Sequence, residues 1–244
     1  MNPEVIDARP SAFSVFLRAL FECVQGLPLT MLLTISAVVT GLILAVPLAV
    51  LHSKRNTTSA RIVRGFTYFF TGTPLLVQIY LIYQGFGDFK WLQNLIEAYP
   101  FLDFLKEAFP WVWLVLSLNT TAYLIEIFSG AIKNTDNGEV EAGRAYGMSA
   151  AQVMRHIILP SSLRRALPAY SNEVIMMLQA TSLASSFTLF EMMGRATGLY
   201  AATYRPFPVF IAVGLIYLLL TFVLVYGFRL LEKRYLTHLK PRSH

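Results

Sequence analysis

Leu27-Pro-Leu-Thr-Met-Leu-Leu-Thr-Ile-Ser-Ala-Val-Val-Thr-Gly-Leu-Ile-Leu-Ala-Val-Pro-Leu-Ala-Val-Leu51 contains no charged residue. A helix needs about 20 mostly apolar residues to cross a bilayer, so this stretch reads as a membrane span. Four more stretches read the same way. Residues 65–86 and 206–228 are uncharged, and 111–132 is apolar except for Glu126. The fourth, 172–192, has an uncharged centre from 174 to 190. The expected fold is an all-α polytopic membrane protein, five spans forming one transmembrane domain over residues 1–244.

Composition agrees with a bilayer as the solvent. Hydrophobic residues make up 55% of the chain and charged residues 14%, with mean hydropathy +0.54. A water-soluble domain carries about 25% charged residues. Net charge is +6. In so apolar a chain that excess is the mark of cytoplasmic loops, not of a nucleic-acid surface. Cys23 is the one cysteine, which excludes an intramolecular disulfide framework and a cysteine metal cluster. The histidines, at 52, 156, 238 and 244, have no ligand spacing. No basic region followed by an apolar core marks a cleaved signal peptide at the N-terminus.

The segments between spans set orientation. Alternate segments hold 14 and 6 of the lysines and arginines, and the richer side is cytoplasmic. This places the N-terminus outside, in the periplasm, and the C-terminus inside. Phe13, Phe16, Leu17, Leu20, Phe21 and Val24 recur at helical spacing, as an interfacial helix before span 1 or as a helix packed on its neighbours. Residues 87–109, with Trp91, Tyr99 and Phe101, read as an external loop with interfacial aromatics. Pro28, Pro47 and Pro74 interrupt spans 1 and 2, as kinks or as helix ends.

Segment 133–170 is a long cytoplasmic loop that is neither Gly/Ser-rich nor a run of charge. Asn137 and Gly138 suit a helix start, and Glu139 and Glu141 favour its positive end. Gly147 suits the left-handed stop after a short helix. Ser149 suits the cap of a second helix, which Pro160 is expected to end. Ala142 and Ala145 are small, so another surface can approach. The pattern is two short helices and a tight turn, a docking element without chemistry of its own.

Within it, Glu141-Ala142-Gly143, three residues, Gly147, nine residues, then Ile157-x-Leu159-Pro160 resembles the EAA coupling loop of bacterial ABC importer permeases. The departure is Gly143, where alanine is usual. Gly72-Thr73-Pro74-Leu75 with Gln78, Asn119-Thr120 with Tyr123 and Glu126-Ile127, and Ser171-Asn172-Glu173-Val174 extend the resemblance to the polar amino-acid permeases. Among these the chain is similar to the M-type subunits of importers for histidine, lysine, arginine and ornithine, or for opines. Thr71 and Gln179 depart from residues common in that family.

The resemblance implies the five-span core of a type I ABC importer permease with a cytoplasmic two-helix coupling loop. It implies an inner-membrane protein that works with a homologous sister permease, an ATPase dimer and a periplasmic amino-acid-binding protein. ATP and Mg²⁺ would be held by the ATPase, with no cofactor on this chain. The ATPase-coupling residues implied are Glu141, Ala142, Gly143, Gly147, Ile157, Leu159 and Pro160. The substrate path is expected at Met177, Gln179, Thr181 and Ser182, with Met176 beside them and Glu191 at the outer end. Glu126, Asn119 and Glu173 are expected to be structural polar residues within the membrane, with Glu173 pairing with Arg164 or Arg165. His156 reads as a solvated loop residue.

No G-x-x-x-x-G-K-[ST] run is present, and no nucleophile, metal or paired-acid motif. The chain is therefore read as a transport subunit and not an enzyme. The alternative is a stand-alone secondary amino-acid transporter or channel subunit, which calls for inverted repeats; none is visible.

Overall fold

The computed structural model describes residues 11–54, 57–87 and 89–236. Every regular element among them is helical. The order is α1 Ala12–Ser53, α2 Thr58–Gly72, α3 Leu75–Gly87, α4 Lys90–Ala98, a 3₁₀ segment Pro100–Lys106, and α5 Ala108–Lys133. Then follow α6 Asn137–Ala145, α7 Ala150–Phe187, α8 Met192–Thr203 and α9 Pro206–Tyr235. α1, α5 and α9 are each long and apolar enough to cross a bilayer. Counting α2 with α3 and α7 with α8 as bent spans gives up to five crossings.

α1 is one helix of 42 residues through both Pro28 and Pro47. At 1.5 Å per residue it is about 63 Å long, twice the apolar thickness of a bilayer. Its first turns are therefore not a separate interfacial helix. Val15, Ala19 and Cys23 pack with Met192, Ala196 and Leu199 of α8 and Val209 of α9. At Gly26 an added Cβ would lie 2.6 Å from the Met192 nitrogen, so the two backbones meet there.

Span 2 is not the straight helix expected over 65–86. It breaks at Gly72–Pro74, and α2 and α3 meet at 105°. Pro74 has no N–H, so the Phe70 carbonyl has no partner four residues on. In a bilayer such a group must be satisfied from within the protein. Two side-chain amides do this. Gln78 Nε2 donates to Phe70 O at 2.9 Å and Thr73 O at 3.0 Å. Asn119 Nδ2 of α5 donates to Phe70 O and to Gln78 Oε1, both at 3.1 Å.

The expectation that Pro160 ends a short helix is also corrected. α7 runs through it, from Ala150 up the membrane to Phe187. Proline removes the N–H that would bond His156 O, and the helix absorbs the loss by a π turn over Met154–Ile158. Leu159 N–H reaches back to Met154 O. The helix stops at Thr188, whose φ is +60°, and Glu191 starts α8. The span expected over 172–192 thus crosses a break, and its helix begins well inside the loop assigned to 133–170.

The core lies along α5. Leu33 and Ala37 of α1, Ile79 of α3 and Met177 of α7 pack on its Val112 and Leu116. Nearer the loop, Ala45 and Ala49 of α1 pack with Leu124, Ile125 and Phe128.

Candidate functional site: a docking loop joined to a polar helix face

Asp136 caps α6, accepting the Gly138 N–H at 2.8 Å. Glu139 lies in the first turn, where an acid meets the positive helix end. Gly147 has φ +78°. Its N–H bonds Arg144 O at 2.9 Å, and Met148 N–H bonds Gly143 O at 3.2 Å. Those two bonds make a Schellman stop. Ser149 then caps α7 in a reciprocal pair with Gln152. The helix–turn–helix expected from the spacing is present, although its second helix is the base of a spanning helix.

The closest packing of the loop is at Gly143. It is the one buried residue of α6. A Cβ there would stand 2.5 Å from Ile157 Cδ1 and 3.3 Å from Val153 Cγ2. Ile157 therefore occupies the space an alanine methyl would take, and α6 rests directly on α7. Glu141 and Ala142 face outward, and Tyr146 projects fully beside them. Leu159 and Pro160 are half-buried at the same end of α7. His156 is exposed as expected, but on the helix, with Nδ1 3.0 Å from Gln152 O.

Arg165 cinches the base of the loop. Its guanidinium donates to Ser161 Oγ at 2.7 Å and Thr135 Oγ1 at 2.8 Å. This ties the end of α5 to α7. Arg165 is thus engaged away from Glu173, and among the described residues Arg164 makes no ion pair with it either, correcting the expected pair. Glu173 is buried against α5, where Thr120 donates to its Oε1 at 3.0 Å.

Further along α7 the expected path residues fall on two faces. Met177 and Thr181 are buried in this chain, and Thr181 Oγ1 bonds Leu178 O. They do not face a passage. Gln179 is turned away from the chain's own core, and Ser182 is half-exposed beside it. Asn172, Met176 and Ser186 continue that open face. The spacing 172, 176, 179, 182, 186 is one side of a helix. Polar side chains are costly against lipid, so such a face belongs to a cavity or another helix.

Glu191 is 0% exposed and does not await solute. It caps α8, its Oε1 taking Gly194 N–H at 2.8 Å and its Oε2 taking Met193 N–H at 2.9 Å. Tyr217 OH of α9 donates to it at 3.2 Å and Thr30 of α1 at 3.4 Å. It is a joint of three helices. An orphaned buried donor costs about 1–3 kcal/mol, and Glu191→Ala leaves at least the two N–H groups and the phenol. The variant is expected to lose about 3 kcal/mol or more. Melting of the detergent-solubilised protein, followed by size-exclusion fluorescence, checks this; an unchanged midpoint contradicts it.

Glu126 Oε1 lies 3.5 Å from His52 Nε2 of α1. It is nevertheless 43% exposed, directed out of this chain. His52 Nδ1 lies 2.9 Å from Ser129 Oγ, which anchors the ring. The bracing of the span 2 break by Gln78 and Asn119, the Arg165 clasp and the placement of Tyr146 were not read from sequence. The proline at 74 and the amide four residues on were the signal for the first.

A helical chain with three to five crossings and this loop has the form of a transport permease. Residues 37–237 match the family described as binding-protein-dependent transport system inner membrane component, and the chain belongs to that family. It is 43% identical over 219 residues to the histidine/lysine/arginine/ornithine transport system permease protein HisM of Escherichia coli (strain K12), covering 89% of this chain and 90% of that protein. It is 41% identical over 207 residues to the octopine transport system permease protein OccM of Rhizobium meliloti, covering 85% and 83%. A crystal structure of an amino acid ABC transporter with histidines superposes with TM-score 0.78 at 28% identity, over 92% of this chain and 99% of that one. The chain is an inner-membrane permease component of an ABC importer, and the stand-alone transporter reading is set aside.

Proposed function

We propose that this chain forms half of the translocation path of an ATP-driven importer for basic amino acids or opines, and docks the ATPase through α6. The substrate class is supported by the relatives, which are permeases of histidine/lysine/arginine/ornithine and octopine transport systems. A sister permease completes the path, two ATPase subunits hold ATP and Mg²⁺, and a periplasmic binding protein delivers the solute. This chain performs no hydrolysis.

One observation carries the reading. α7 is a single helix whose inner end seats α6 at Gly143 against Ile157 and whose upper length carries the open polar face with Gln179. When the ATPase dimer closes on ATP, α6 moves with its surface. Close packing at Gly143 passes that motion to α7, and Arg165 passes it to α5. The polar face then changes sides of the membrane. Nucleotide drives this only by binding one state better than the other.

Co-purification tests the assignment. The ATPase subunit is expected to stay with the wild-type permease through affinity purification and to be lost with Glu141→Lys. An unpaired charge at such a contact costs about 2–5 kcal/mol. Equal recovery with both proteins would count against α6 as the docking helix.

Orientation has its own test. With lysine and arginine split 14 to 6 between alternate segments, a reporter active only in the cytoplasm is expected to work when fused after His244. Activity of a periplasm-only reporter at that position would reverse the topology.

A further inference from the structure

α4 and the 3₁₀ segment after it fold back between α3 and α5, at the end of the bundle away from α6. Leu92 and Ile96 turn inward, one helical turn apart, and are buried. Beneath them is a cavity of about 530 Å³, within the range of small-molecule sites. Phe86 and Trp111 form an aromatic wall, stacked with centroids 4.9 Å apart. Trp111 Nε1 donates to Leu105 O at 2.8 Å, which holds the indole in place. Gln84 and Lys106 add polar lining.

The outer side of the same segment is apolar. Trp91 is 59% exposed and Phe101 73%, with Tyr99 and Phe104 half-exposed between and after them. A bare aromatic patch of this kind is a liability in water. At the boundary of a bilayer it is the usual aromatic belt. The segment joins the ends of two spanning elements, so its belt and the cavity lie at headgroup depth.

We propose that the cavity takes one acyl chain of a phospholipid of the outer leaflet. An acyl chain lies along Phe86, Leu92, Ile96 and Trp111, and the phosphate lies at Lys106. Lys106 now pairs with Asp103 at 2.6 Å on an exposed edge, where that pair is worth little and a phosphate can share the ammonium. An acyl chain accounts for the apolar wall, which a free amino acid would leave unused. The inference is independent of the transported solute.

Trp111 is a built-in reporter, because the chain has three tryptophans, at 91, 111 and 113. The variant Trp91→Phe/Trp113→Phe leaves it alone. The full chain in detergent is titrated with phosphatidylglycerol brominated along its acyl chains. Saturable quenching of Trp111 is expected, lost in Ile96→Phe, which fills the cavity, and shifted to higher lipid concentration in Lys106→Glu. Brominated free fatty acid, which lacks the phosphate, is expected to quench more weakly. Quenching that is unchanged by Ile96→Phe would come from the surrounding lipid layer and would overturn the site. Absence of saturable quenching would overturn it as well.

Discussion

Valine at Gly147 is expected to cut ATP-driven uptake about tenfold while the protein still reaches the membrane in normal amount. The residue sits at φ +78°, where an L side chain costs about 1–2 kcal/mol and a β-branched one is worst placed. Space is not the issue, since an added Cβ would meet nothing within 4 Å. The strain falls on two hydrogen bonds that end α6 and aim it at α7. α6 has nine residues, too few to hold a helix in water without its ends. Gly143→Val adds the opposite fault, a side chain driven into Ile157, where overpacking costs about 1–3 kcal/mol. Neither position lies in a long apolar stretch, so insertion is expected to be normal. Uptake and membrane abundance measured together decide it; wild-type uptake by both variants would show that the loop only connects.

Tryptophan at Gln179 is expected to block uptake in an assembled, folded complex. The same substitution at Thr181 is expected to prevent assembly. The two positions lie half a turn apart on α7. Gln179 faces away from this chain, toward the proposed path, so a large ring there fills a passage and strains nothing within the subunit. Thr181 is 0% exposed, with its hydroxyl on Leu178 O. An indole in that space costs well over the usual 1–3 kcal/mol of overpacking. Uptake and size-exclusion profile separate the two effects. Normal uptake by Gln179→Trp would remove the polar face from the path. A well-assembled Thr181→Trp would contradict the burial.

The contrast between these positions marks how far the sequence is legible. Hydropathy finds the long apolar helices α1, α5 and α9 because bilayer thickness and helix rise are physical constants of the problem. The loop is legible in detail because each signal there is local: Asn137 and Gly138 start a helix, Ser149 caps, Gly147 turns, and the acids sit at a helix start; the Asp136 cap is the structure's addition. Facing is not local. Met177, Gln179, Thr181 and Ser182 read alike in one dimension, and the partner helices α1, α5 and α9 decide which are covered. Glu191 misleads for the same reason. Its partners Thr30 and Tyr217 stand far from it in the chain, so a buried joint looks like an acid near the membrane edge. Pro160 misleads differently. The rule that proline ends a helix assumes an α ladder, and a π turn lets the helix continue. At Pro74 no such turn forms, and the span breaks by 105°, with Gln78 and Asn119 bonding the freed carbonyl.

At Gly143, where alanine is usual, an added methyl would stand 2.5 Å from the free end of the Ile157 side chain. A substitution to alanine here is therefore expected to push Ile157 aside and loosen the seat, despite alanine's better helix propensity.

The most direct measurement is uptake of labelled arginine into proteoliposomes that hold this permease with its sister, ATPase and binding protein. Arginine is expected to accumulate against its gradient only when ATP reaches the ATPase face and loaded binding protein is present on the other. Accumulation by this chain alone, driven by an ion gradient without ATP, would contradict the account.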